Sequence, residues 1–309
     1  LGIFTLMIAV ILVNGQACET GDSRTTGEAG NFMGGIEGLV VEFLNDAPAA
    51  SGNFKGDPIP VELTLINRGE EDVASQHIYI KGALASITDV NTQNLKGLES
   101  NEKVSNVMLG KLEEGDEGLI EQDINIDLGS FIYTEEIPAD SVPVSVVAEV
   151  CYPYKTKLQV NELCMPSKST KIVGEPECEV DASANLIVEG HNSGAPVQID
   201  TLRESKLGRD SLRLTLNINN QGAGRVVQGC AREPSEANLD VVRVEIDGNY
   251  DCFEGGSNSG FVTLREGTAR VTCTKPIQET GNAFVVPFKA KLSYDYIQEV
   301  SKTISINDT

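Results

Sequence analysis

The chain has 309 residues, with 46 acidic against 24 basic side chains and a net charge of −22. A protein that neutralises phosphates presents a basic surface, so this balance argues against nucleic acid as a partner. Hydrophobic residues make up 40% and aromatic residues 5%, enough for ordinary cores and well short of a multi-span membrane protein, and the length allows two or three domains.

Residues 1–17 form an apolar segment in which Leu1, Ile3, Phe4, Leu6, Met7, Ile8, Val10, Ile11, Leu12 and Val13 supply the greasy surface; the first charged side chain is Glu19. A helix over Leu1–Val13 reaches about 20 Å against roughly 30 Å of bilayer hydrocarbon, too short to span comfortably. Three readings compete. A secretory signal has an apolar stretch of this size but also a basic leader. A lipoprotein junction at Ala17-Cys18 would make Cys18 the lipid-bearing residue, with Gly15 where an aliphatic residue is usual. The favoured reading is a mature N-terminus that resembles a type IV pilin, whose apolar helix anchors the subunit in the membrane before assembly and lines the filament afterwards. Thr5 stands where bacterial pilins commonly carry Glu, and the run is about half the usual length. All three readings place the body outside the cytoplasm. Residues 18–35, rich in Gly, Ser and Thr and without periodicity, read as a flexible linker or stalk.

Beyond Gly35 alternating patterns dominate. Pro60–Leu65 and Leu212–Ile218 each put one face on a core and one in water. Each is followed by similar turn chemistry, Asn67-Arg68-Gly69 and Asn220-Gln221-Gly222, where Asn tolerates and Gly supplies positive φ. Second strands follow, His77–Ile80 and Val241–Ile246, the latter closed by the hairpin signal Asp247-Gly248. Ala148–Tyr154 aligns with Ala290–Tyr296, each leading into a last strand, Lys157–Val160 and Val300–Ile306. Two copies of one plan predict an all-β chain of two tandem immunoglobulin-like β-sandwiches, 36–174 and 175–309, with a seam near Gly174-Glu175-Pro176. The strand order, the turn after Asn, the opening Gly38-Leu39-Val40-Val41 and the strand Cys151-Tyr152-Pro153-Tyr154 resemble tandem Ig-like, CARDB-type modules on archaeal and bacterial cell-surface proteins. The resemblance covers about residues 36–306 and implies fold rather than activity, since such modules serve adhesion, stalks and filament walls alike.

Of seven cysteines, six lie in the body, and no C-x-x-C spacing favours zinc or redox chemistry. Neighbouring strands suggest Cys151 with Cys164 around a bend at Tyr154-Lys155, Cys252 with Cys273, and Cys178 with Cys230. Disulfides imply an oxidising exterior. Cys18 is then the odd one, a candidate for lipidation or an intermolecular bridge.

Catalytic signals are thin. His77 and His191 are the only imidazoles, and Gly190-His191-Asn192-Ser193-Gly194 lacks both the G-x-S-x-G spacing and the strand-to-helix setting of a nucleophile elbow. Asp247, Asn249, Asp251 and Glu254 have the oxygen spacing that opens a calcium loop, but Cys252 replaces the sixth-position Gly, and a hairpin turn explains them more simply. Asn307 heads the one N-linked sequon. The expectation is a non-enzymatic, extracellular subunit of a cell-surface filament, without cofactor, that homopolymerises through its N-terminal segment. Donation of Ile8–Val13 as a strand is an alternative assembly route. The second reading is a membrane- or lipid-anchored adhesin.

Overall fold

The computed structural model describes residues 31–84, 95–96, 102–116, 118–168, 175–230, 234–277 and 282–308. The apolar segment, Cys18 and Gly174 lie outside these residues. The chain is all-β. Its first half contains β1 (Leu39–Phe43), β2 (Asn53–Phe54), β3 (Pro58–Asn67), β4 (Gln76–Leu84), β5 (Leu95–Lys96), β6 (Glu102–Ser105), β7 (Glu113–Gly115), β8 (Gly118–Ile120), β9 (Gln122–Tyr133) and β10 (Ser141–Met165). The second contains β11 (Val197–Leu207), β12 (Ser211–Asn220), β13 (Arg225–Val227), β14 (Val241–Ile246), β15 (Ser259–Thr263), β16 (Thr268–Pro276) and β17 (Phe284–Asn307). Among the described residues no helix is long and apolar enough to cross a membrane.

The predicted repeat appears as matching topology. One separate sheet runs β1-β3-β9 with β5 added, and its counterpart runs β11-β12-β16. A shared sheet has the order β15-β14-β17-β10-β4-β6, which reads the same outward from its centre. At that centre Pro153 of β10 stands opposite Asp295 of β17, Tyr152 opposite Tyr296, and Tyr154 opposite Tyr294. A local two-fold therefore passes through the Pro153–Asp295 pair. Alternation drives both layers: Ile59, Val61, Leu63 and Leu65 of β3 and Val144, Val146, Ala148 and Val150 of β10 are buried in one core that continues into the second half.

The two central strands correct one expectation. No bend occurs at Tyr154-Lys155. β10 continues as one strand for 25 residues and β17 for 24, and they pair antiparallel along almost their whole length, with a register shift between Val160 and Leu163. The first part of β10, Val144–Cys151, pairs with β4 of its own half, and then Tyr154–Met165 runs beside Phe284–Tyr294 in the second half. Reciprocally, Gln298–Asn307 of β17 returns to flank Ser141–Val150. Each half is thus completed by a strand from the other, and Ile304 and Ile306 sit buried beside first-half residues. The sequence explains why. Every even position from Val144 to Val160 is buried, and the expected bend has no Gly, Asn or Asp to take the positive φ that a tight hairpin needs. The signal Asp247-Gly248 also differs from expectation: Gly248 has φ +92°, but it opens a longer excursion over residues 247–258 rather than a two-residue hairpin.

This continuity revises two of the three cysteine pairs. Cys151 and Cys164 lie on the same extended strand, roughly 40 Å apart at about 3.3 Å per residue. The disulfides join Cys151 to Cys230, Cys164 to Cys178, and Cys252 to Cys273, with Cα–Cα distances of 5.5, 5.8 and 4.0 Å. The last was expected. The first ties a second-half loop to the outer side of a first-half strand, where Cys151, Val227 and Ile297 form a small apolar cluster with Cys230 and Leu239. Three disulfides fit an oxidising, extracellular environment.

Candidate functional site

The most elaborated region of the body is the waist where the halves meet. Because Tyr152, Tyr154, Tyr294 and Tyr296 occupy even positions on paired strands, all four rings project to the core side of the shared sheet. Their centroids stand 5.7 Å (Tyr152–Tyr154), 6.0 Å (Tyr152–Tyr296), 6.4 Å (Tyr154–Tyr294) and 6.3 Å (Tyr294–Tyr296) apart, within the range of favourable tilted and edge-to-face contact. Each hydroxyl reaches backbone beyond the sheet. Leu39 N donates to Tyr152 Oη at 3.0 Å and Val197 N to Tyr294 Oη at 3.3 Å, so the opening strands β1 and β11 are held equivalently. Gly224 N donates to Tyr296 Oη at 2.8 Å and Glu71 N to Tyr154 Oη at 3.4 Å, fixing the two turns that follow β3 and β12. Burial pushes the Tyr152, Tyr154 and Tyr294 hydroxyls well up and Tyr296 to about 12, so all remain protonated hydrogen-bonding groups at neutral pH.

The turns themselves work differently from the expectation of positive φ. None of Asn67, Gly69, Asn220 and Gly222 has it. Asn67 Nδ2 instead donates to Glu71 O at 2.9 Å and Asn220 Nδ2 to Gly224 O at 2.9 Å, each amide closing its own turn. The glycines are needed for close approach: a Cβ on Gly69 would collide with Tyr154 Oη, and one on Gly222 with Tyr296 Oη.

At this waist the stalk joins the body. The Glu70 carboxylate accepts three backbone amides, from Met33 at 3.1 Å, Gly34 at 2.9 Å and Gly194 at 2.6 Å. One first-half side chain therefore grips both the end of the stalk and the second half. Gln198 Nε2 adds donations to Gly35 O and Ala195 O, each at 2.8 Å. Beside it Glu71 pairs with Lys155 at 3.0 Å and Lys157 at 2.8 Å. Burial works to raise the Glu71 carboxyl, but the hydrogen bonds and charges of Lys157 and Lys155 outweigh it and hold the group below the usual carboxylate range. A depressed folded-state value stabilises above the unfolded-state pKa and is lost as pH falls through the folded one. Glu71→Gln is expected to lower stability by about 1 kcal/mol or less at neutral pH, both lysines being half exposed. Once the pH falls below the depressed folded-state value of Glu71 the two proteins should unfold alike, which urea titration at several pH values checks.

The other candidate residues are dispersed. Ser193 Oγ is buried and accepts from Lys157 N at 2.9 Å, while His191 Nδ1 lies 3.1 Å from Leu186 O and 3.2 Å from Val188 N. Both side chains organise the loop that Glu70 holds. His77 stands on β4 opposite Cys151. Asp247, Asn249, Asp251 and Glu254 are exposed along the 247–258 excursion, with Asp251 paired through its backbone to Thr274. Asn258 Nδ2 closes that excursion on Ile246 O at 2.7 Å. Among the described residues no three His, Cys, Asp or Glu side chains converge as metal ligands. Asn307 Nδ2, the atom a glycan would occupy, donates to Asn53 O at 3.1 Å. The assembly residues Leu1–Val13 and Cys18 fall outside the described residues. Glu70 was missed by sequence reasoning, since a lone Glu beside a turn carries no local signal. The tyrosines served there only to align the repeats.

No family model and no curated protein matches the chain. Among solved structures, red sea bream transglutaminase is 9% identical over 89% of this chain and 32% of its own, at a TM-score of 0.20. The C-terminal globular domain of an oligosaccharyltransferase from Pyrococcus abyssi is 9% identical over 88% of this chain and 49% of its own, at 0.17. The CupB6 tip adhesin from Pseudomonas aeruginosa is 10% identical over 90% of this chain and all of its own, at 0.15. This chain thus spans about a third of the transglutaminase and half of the oligosaccharyltransferase domain. Scores this low assign neither a common fold nor a function, and the functional reading rests on the residues themselves.

Proposed function

We propose that this protein is a non-enzymatic, extracellular structural subunit of a cell-surface filament, built from two immunoglobulin-like modules of the CARDB kind and assembled through Leu1–Val13. The observation that carries the reading is the coupling at the waist. The stalk enters through the Glu70 clamp, between halves that share two long strands and a disulfide. A pull on the stalk is delivered to both halves at once, which suits a part that transmits load. Packing of the apolar segment against its copies removes a greasy patch that a solitary chain would expose to water. Leu6→Asp is expected to abolish filaments seen by negative-stain microscopy of cell-surface material, while the body stays folded and disulfide-bonded. Filaments that survive this substitution overturn the proposal.

The anchored-adhesin reading draws on one observation. The six body cysteines pair among themselves, leaving none of them for Cys18. Mass spectrometry of native protein decides: a chain starting at a lipid-bearing Cys18 favours an anchor, and one starting at Leu1 favours the filament.

A further inference from the structure

We propose that the outer face of the β11-β12-β16 sheet is a contact surface for a second copy of this chain, and that it receives that copy's β7–β8 ribbon. The inference deepens the assembly reading and rests on it for its setting, but it uses a different part of the molecule.

The strand register puts one arginine in each of three successive rows across this face. Arg213 lies in the first, Arg203 beside Thr215 and Thr272 in the second, and Arg270 beside Asn217 in the third. Rows two residues apart are roughly 7 Å apart. All three arginines are exposed, and among the described residues none forms an ion pair with a carboxylate; Arg270 Nε donates to Asn217 Oδ1 at 3.1 Å. The face is thus a basic surface on a chain of net charge −22. Beside it opens a cleft of about 600 Å³ whose lining includes Arg265, Val262 and Ala269, with Asp200 its one carboxylate.

The complementary surface lies in the first half. Residues 102–149 hold twelve acidic and two basic side chains. In this stretch β7 and β8 form a two-stranded sheet that, among the described residues, pairs with no other strand. Glu113 stands opposite Ile120 and Glu114 opposite Leu119, and Leu119 and Ile120 are 61% and 54% exposed. An isolated hairpin is marginally stable in water, and exposed large apolar residues mark a surface awaiting a partner. Each face of the ribbon thus sets one acid beside one apolar side chain, Glu113 with Ile120 on one and Glu114 with Leu119 on the other. On the β11-β12-β16 face the three arginines stand among Thr215, Thr272 and Thr274, beside the partly apolar cleft. Among the described residues no ion pair joins the two surfaces within one molecule. A sulfated polysaccharide would use the arginines but leave Leu119 and Ile120 without a role.

The test is sedimentation velocity on the full chain carrying Leu6→Asp, which silences the N-terminal segment. Dimers or larger species are expected at low salt, weakening about tenfold or more between roughly 0.05 and 0.5 M salt. Adding Arg203→Glu, Arg213→Glu and Arg270→Glu should abolish this association. Mixing that protein with a chain bearing Glu113→Lys and Glu114→Lys should restore it as a mixed complex. Circular dichroism and disulfide mapping check that the variants fold. The proposal is overturned if the Leu6→Asp chain stays monomeric, if charge reversal changes nothing, or if the arginines retain the chain on a sulfated polysaccharide without copy-to-copy association. A monomeric Leu6→Asp chain sinks this contact and leaves the filament reading intact; filaments that persist with Leu6→Asp do the reverse.

Discussion

Replacing Cys151 and Cys230 by serine is expected to lower the unfolding free energy by about 4 kcal/mol, with removal of the Cys164–Cys178 bridge reaching about 3 kcal/mol. The difference follows from the chain each closes, sequence separations of 79 and 14 residues. In the unfolded ensemble the longer constraint removes more freedom, and the gain grows with the logarithm of the loop. Position adds to length. The Tyr79 hydroxyl donates to Cys230 O at 2.8 Å, and the disulfide sits in the apolar cluster with Val227 and Ile297 on the outer side of the shared sheet. Losing the bridge therefore also loosens the loop that shields these residues. Urea unfolding of the two double variants, compared at equal m-value, reads the difference. Equal midpoints for both would refute the ranking.

The strands were legible because alternation is a local property. Val144 to Val150 and Leu212 to Ile218 announce a buried and a solvated face whatever lies beyond them. What alternation does not encode is whether a strand turns back or runs on. The same period-2 pattern through Tyr152, Tyr154, Thr156 and Leu158 suits a hairpin arm and a single long strand equally, and only the lack of turn residues at Tyr154-Lys155 favoured the second. The cysteine pairs inherited that ambiguity. With a bend, Cys151 and Cys164 are neighbours; without one Cys151 stays near the waist and Cys164 lies at the far end of β10, and Cys151 is free to meet Cys230. Cys252 and Cys273 escaped the problem because both lie within the second half, on segments that the Asp251–Thr274 backbone pairing brings together.

The Glu70 clamp was hidden for a different reason. Its three amide partners come from residues 36 or more positions away along the chain, those of Met33, Gly34 and Gly194, and convergence of distant backbone donors leaves no trace in spacing. The repeat points to the place but not to the function. Glu70 falls in the turn after Asn67, and the turn after Asn220 has Ala223 at the corresponding position. The halves share a fold, and the asymmetry between them marks where the stalk attaches.

Gly69→Ala is expected to destabilise the protein by about 3 kcal/mol, and more than Gly222→Ala at the equivalent turn. Both positions lie under a tyrosine hydroxyl, but the surroundings differ in what can yield. A Cβ on Gly69 would also stand 2.8 Å from both Glu37 O and Gly194 O, backbone atoms on either side of the waist. Relief requires the segment at Glu37, just after the stalk, and the second half to move apart, which strains the adjoining Glu70 hydrogen bonds. At Gly222 the other close atom is the Pro196 side chain, 2.6 Å from the Cβ, and its ring and Tyr296 yield at lower cost than two chain segments. Overpacking in a well-filled site typically costs about 1–3 kcal/mol, so Gly222→Ala belongs near the lower end and Gly69→Ala at or above the upper. Because the strain at Gly69 falls on the stalk junction, amide hydrogen exchange at Met33, Gly34 and Gly194 should quicken in Gly69→Ala and stay nearly unchanged in Gly222→Ala. Equal protection in the two variants would show that the waist relaxes as one body, and that the clamp carries less of the strain than its geometry implies.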